Sequence, residues 1–230
     1  MVSLLSANQL KEYDKMTEII SLMGKNIFNA SDWAIFYGIH FSKVGLYKIG
    51  KFPWDEEVLL STCPLCGKTI KDCHFAFIGL SSLDSSLFNI IKLQELHPVA
   101  TRPRFKSYGT DSWYHGEEFA KTTMHNRWHL LHIRGIPGSE NKVYDEQRLM
   151  LPERYEVPNA VTELTKNLLI FKKTGAFVNY NRLNRCRDTT SKGYQVEVGG
   201  YSYENSIFDC FWAFDRDYES GIATSQKYPY

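Results

Sequence analysis

The sequence predicts an α+β fold, helices packed on mixed or antiparallel sheets with a β-rich C-terminal part, on three observations. Between Pro158 and Gly175, apolar Val161, Leu164, Leu168 and Phe171 recur at spacings of three and four, the period of one helix face. Proline at the start and glycine just past the end frame that helix. Residues 127–134 set Trp128, Leu130 and His132 against His129, Leu131 and Ile133, which suits a strand buried on both faces. Beyond Gly175, short β-prone runs (176–180, 194–198, 207–212 and 222–225) alternate with Gly, Asn, Asp and Ser turns.

The other elements follow in order. Ser6 with Gln9 makes a capping box, and Leu10, Tyr13, Thr17 and Ile20 continue a first helix to Gly24. Residues 27–62 lack a clear period and read as short strands or turns whose aromatic side chains pack on the core. A strand is expected over 74–80. A helix capped by Ser85 or Ser86 and carrying Leu87, Ile90, Ile91 and Leu93 must end before Pro98. Residues 98–126, rich in Pro, Gly and polar groups, read as a long loop, and a short helix is expected over 143–150.

A chain of 230 residues fits one large domain or two small ones. The reading is a single compact unit over 1–230, with a subdivision into an N-terminal part (1–135) and a C-terminal part (136–230) as the alternative. A net charge of +1 argues against nucleic acid as partner, because phosphate binding needs a basic surface. No apolar run approaches the ~20 residues that cross a bilayer, so no membrane partner is expected. The N-terminal residues show no secretory pattern and the cysteines number five, an odd count; cytoplasmic residence with reduced thiols is the expectation.

Cys63-Pro-Leu-Cys66-Gly-Lys has the local sequence of a zinc knuckle, two thiolates that chelate one ion and a glycine that lets backbone amides approach the sulfur. Cys73 and His74 follow closely and complete a candidate set of four ligands, with zinc as the cofactor. Adjacent residues on a strand point to opposite faces, which counts against Cys73 and His74 reaching one ion together. The alternative is a pair of reduced, partly buried thiols. His125, His129 and His132 also cluster in sequence, but on a strand His129 and His132 sit on opposite faces and cannot share a metal. They read as hydrogen-bonded core or edge histidines.

Seven of the 14 tyrosines follow residue 175, interleaved with Asn, Asp and Ser. Tyrosine gives large contact area at low rotamer cost, and Ser and Asn adapt their hydrogen bonding, the mixture that binding loops favour. A small β-rich part with buried tyrosines has the same composition.

Several stretches, among them Pro53-Trp-Asp-Glu-Glu-Val-Leu-Leu-Ser, Leu93-Gln-Glu-Leu-His-Pro, Arg127-Trp-His-Leu-Leu and Tyr155-Glu-Val-Pro-Asn-Ala-Val, make the chain resemble an uncharacterised family of bacterial hypothetical proteins over nearly its whole length. That resemblance implies no activity. Cys186-Arg-Asp, Ser191-Lys-Gly-Tyr-Gln-Val-Glu-Val-Gly, Trp212, Asp215-Arg-Asp-Tyr and Gly221-Ile-Ala resemble the tail of C-type-lectin-like domains. The nearest forms are the formylglycine-generating-enzyme type and the variable proteins of diversity-generating retroelements. The resemblance implies a C-type-lectin-like tail and ligand binding by an exposed Tyr, Asn, Asp and Ser face.

The expected function is therefore binding of a protein or glycan ligand by Tyr201, Tyr203, Phe208, Trp212, Asp215, Asp217 and Tyr218. The alternative is an enzyme with a site between the N-terminal body and the C-terminal part, drawing on Cys63, Cys66, His74, His97, His129 and Asp111. A third reading makes the aromatic face an interface within a larger assembly.

Overall fold

The computed structural model describes residues 7–41, 49, 51–98, 103–105, 112–179, 182–199, 207–213 and 220–229. The chain begins with helix α1 (Ala7–Met23), which buries Ile19 and Met23; Ser6 of the expected capping box lies outside the described residues. Strand β1 (Ile27–Phe28) and helix α2 (Ala30–Tyr37) follow. The sequence pattern offers no helix here because aromatic residues occupy several faces. Its caps are nevertheless complete: the Asn29 side chain accepts from the backbone of Ser31 and Asp32, Asp32 accepts from the Asn29 amide, and Gly38 closes the end at φ 68°. Replacing Asn29 with alanine should cost about 0.5–2 kcal/mol. The checkable result is a melting temperature lower by roughly 2–4 °C per kcal/mol.

Helices α3 (Glu56–Leu60) and α4 (Ile70–Cys73) flank the cysteine turn, and α4 leads directly into strand β2 (His74–Ile78). The hairpin of β3 (Ser82–Leu83) and β4 (Ser86–Leu87) takes the residues expected to open the next helix; Asp84 and Ser85 turn it at positive φ. Helix α5 (Ile90–Leu96) starts later, on an Asn89 cap. Within the expected loop lie strand β5 (Arg104–Phe105) and helix α6 (Glu118–Lys121), with Phe105, Tyr114 and Phe119 buried. Strand β6 (Trp128–His132) is buried along its whole length, as its pattern predicts. Helix α7 (Tyr144–Leu149), strand β7 (Tyr155–Glu156) and helix α8 (Ala160–Thr174) come next. Strands β8 (Leu183–Thr189), β9 (Gln195–Gly199), β10 (Ile207–Ala213), β11 (Ser220–Ile222) and β12 (Ser225–Gln226) form the β-rich C-terminal part.

Two five-stranded mixed sheets result, in the orders β1-β2-β6-β12-β7 and β11-β8-β9-β10-β5. The segment from β11 to β12 passes from one sheet to the other, and its Ala223 and Thr224 bond to Arg185 of the second sheet and His132 of the first. Helix α8 contacts β2 of the first sheet and β8 and β9 of the second. The sequence predicts one core face for this helix, yet residues 160–170 are buried all around, Glu163, Thr165 and Lys166 included. A helix between two sheets has no solvent face, so its polar groups must pair internally. Lys166 Nζ stands 2.6 Å from Glu163 Oε1, and Asn184 Nδ2 donates to the same carboxylate at 2.9 Å.

A candidate metal centre

Cysteines 63 and 66 sit in a tight turn between Thr62 and Thr69, which bridge as an antiparallel pair. The Cys63 amide donates to the Lys68 carbonyl at 2.7 Å, and the Gly67 amide donates back to the Cys63 carbonyl at 2.9 Å. Gly67 adopts φ 74°, a left-handed conformation that glycine takes without steric cost. The Ile70 amide donates to Ser61, which aligns α4 so that Cys73, its last residue, faces the turn. The chain then enters β2, whose first residue, His74, is the register partner of His132 on β6.

These elements bring the sulfurs of Cys63, Cys66 and Cys73 and a ring nitrogen of His132 all within 4.8 Å of one another. Cys63, Cys73 and His132 are buried, and Cys66 is partly so. The fourth atom of the group is a ring nitrogen of His132, where the sequence suggests His74, the residue next to Cys73. His74, the register partner of His132 across the sheet, lies beside this group and not within it.

The His132 ring is fixed through its other nitrogen. Its Nδ1 lies 2.7 Å from the Arg134 carbonyl, which can only accept, so Nδ1 carries the proton. That leaves Nε2 facing the sulfurs, 3.5 Å from Cys66 Sγ. A ring fixed through its other nitrogen by a backbone carbonyl is the usual arrangement of a metal-bound histidine. The electrostatics of Cys63 and Cys73 are linked and run in opposite directions. Cys73 beside Cys63 donates toward its sulfur and draws that thiol well below the usual range, while Cys73 is itself pushed up by the negative sulfur it faces.

His74 lines the same centre from outside. Its Nδ1 is 3.3 Å from Cys73 Sγ, and its Nε2 is 3.2 Å from the Tyr155 hydroxyl. Gln226 Nε2 donates to that hydroxyl at 3.3 Å, so the Tyr155 proton is available to His74 Nε2 and the His74 Nδ1–H to the cysteine sulfur. Burial, and after it the neighbouring His132, hold His74 neutral with a pKa of about 3, which fits a ring that donates one proton and accepts another. Tyr155 Oη also lies 4.0 Å from Cys63 Sγ.

The other sequence candidates stand elsewhere. His97 bonds to the Pro103 carbonyl and the Tyr37 hydroxyl, and burial lowers its pKa to about 4. His129 projects from the opposite face of β6 to His132; it stacks on Phe77 and its Nε2 donates to the His125 carbonyl. Asp111 lies outside the described residues, as do Tyr201, Tyr203, Asp215, Asp217 and Tyr218. Phe208 and Trp212 fall in β10, whose backbone pairs them with Phe105 and Val196. Among the described residues no helix is long and apolar enough to cross a membrane. No family model, curated protein or solved structure matches the chain.

Proposed function

We propose that this is a zinc protein of the structural kind, in which Cys63, Cys66, Cys73 and His132 hold one ion in a Cys3His centre. The observation that carries the reading is the approach of four ligand atoms to within 4.8 Å. A tetrahedral zinc with sulfur at about 2.3 Å and nitrogen at about 2.0 Å sets its ligand atoms roughly 3.5–3.8 Å apart, so a small contraction closes the site. Four protein ligands leave no position for water, which makes the chemistry structural and not hydrolytic. The ion ties the cysteine turn and α4 to the centre of the first sheet. The body so fixed presents the Tyr-, Asn-, Asp- and Ser-rich C-terminal segment, with its C-type-lectin-like resemblance, to a protein or glycan ligand.

Elemental analysis of protein purified without a metal-affinity step tests the reading, with one equivalent of zinc expected. Removal by a chelator should lower the melting temperature, and zinc should restore it. A protein that carries no zinc, takes none up and melts at the same temperature with chelator would sink the proposal.

Two substitutions separate the ligand from its support. His132→Gln should lose the metal. Tyr155→Phe, which removes the hydroxyl that orients His74, should keep one equivalent but bind it about 10–100-fold more weakly. Competition with a chromophoric chelator reads both.

A further inference from the structure

Away from the cysteines, a second polar feature lies between the sheets. A cleft of about 200 Å³ is bordered by the residues leading into β6, by β7, by the start of α8 and by Arg187 of β8. The sequence before β6 supplies Arg127, whose guanidinium rests 5.0 Å from the centroid of the Tyr228 ring. Its Nη2 stands 3.7 Å from Glu156 Oε1, too long for a strong hydrogen bond. Its Nε is buried and has no hydrogen-bond partner among the described residues. A desolvated guanidinium N–H without an acceptor is unfavourable, so a ligand that supplies an acceptor gains what the free protein lacks.

Charge and shape agree. Arg187 is exposed at the rim, and its backbone amide donates to the Pro158 carbonyl at 3.0 Å, which ties that stretch of β8 to the start of α8. Two guanidiniums face one carboxylate, Glu156, while burial keeps His129 neutral with a pKa of about 4. The cleft is therefore net cationic. The Ala160 and Thr162 amides at the helix start are engaged, by Asp188 and Asn159, and the two arginines are the cationic donors that line the cleft. The volume is below the roughly 300–1,000 Å³ of pockets that enclose a drug-sized molecule, and fits one small polar group with a few attached atoms.

We propose that this cleft binds a small oxyanion, a phosphoryl or carboxylate group, between Arg127 and Arg187. Guanidinium forks match the spacing of such oxygens and bind them through paired charge-assisted hydrogen bonds. The site is independent of the cysteine centre and stands whether or not that centre holds zinc.

Titration calorimetry on the full chain tests it, with inorganic phosphate and acetate as probes in separate runs at ionic strength held constant by sodium chloride. Saturable binding of either probe is expected, and at least tenfold weaker binding in Arg127→Gln and in Arg187→Gln. Arg187 is exposed, so its variant keeps the fold even where Arg127→Gln does not. Saturation by phosphate assigns a phosphoryl ligand, and by acetate alone a carboxylate. Failure of both probes to saturate, or equal affinity in wild type and Arg187→Gln, would overturn the proposal.

Discussion

Protein carrying Cys63→Ser should bind less than a tenth of an equivalent of zinc and lose several kcal/mol of folding free energy. A serine hydroxyl stays protonated at neutral pH and is a poor ligand, whereas the thiol it replaces is the one whose surroundings most favour the anion. Structural zinc sites contribute on the order of 10 kcal/mol in small peptides. A whole domain is stable by only about 5–15 kcal/mol, so even partial coupling is a large share. Backbone bonds from Cys63 to Lys68 and from Ile70 to Ser61 close the turn on itself, and the Ile133 amide on the Cys73 carbonyl ties the end of α4 to the first sheet. Cys186→Ala is the control: that buried cysteine lies outside the four-residue group, so its variant should keep one equivalent. Metal content by elemental analysis and stability by urea unfolding read both. A Cys63→Ser protein that keeps its zinc would refute the ligand set.

The second large effect is expected at the centre of α8. Lys166→Met leaves the Glu163 carboxylate buried without its cation and removes the donor to the His132 carbonyl, 3.1 Å away. Breaking one partner of a buried pair costs about 3–5 kcal/mol, because the remaining charge has no water to return to. Asn184 and Asn179 still donate to Glu163 Oε1, at 2.9 and 3.4 Å, which places the cost toward the lower end of that range. The double variant Glu163→Leu with Lys166→Met removes both charges and should be less destabilised than the two single variants added together. Urea unfolding of all four proteins gives the coupling energy. Zinc stoichiometry should remain one throughout, since neither side chain is a ligand.

The elements legible in the sequence are those whose signals are local. Helix α8 shows in its flanking proline and glycine, β6 in its run of apolar residues, and the cysteine turn in four consecutive residues. Helix α2 was hidden because Trp33, Phe36 and Tyr37 blur its period, although Asn29 and Asp32 carry the capping signal. Strand β8 was hidden because its buried residues include Asn184 and Arg185, whose polar groups are met in the core by distant partners, Glu163 for the first and Glu197, Gln147 and the Lys142 carbonyl for the second. No local pattern announces a polar residue that is buried because a distant partner awaits it.

The metal centre divides the same way. Three of the four proposed ligands fall within eleven residues and stand out as a group, but His132 lies 66 residues beyond Cys66 and joins through sheet pairing. Strand alternation had separated His132 from His129. The further step, that the freed face of His132 meets the cysteines, needs the register of β2 against β6. Tyr155, 81 residues from His74, carries no sequence signal of its role. Arg127 and Arg187 likewise gain meaning only when β6 and β8 are seen at one cleft.

The most direct test of the zinc centre is X-ray absorption at the zinc edge on the purified protein, with His74→Gln and His132→Gln beside it. Three sulfurs at about 2.3 Å and one nitrogen at about 2.0 Å are predicted for the wild type and for His74→Gln. Only His132→Gln should lose the nitrogen shell or the metal. A shell of oxygen and nitrogen without three sulfurs, or a nitrogen that disappears with His74 and persists without His132, would contradict the account.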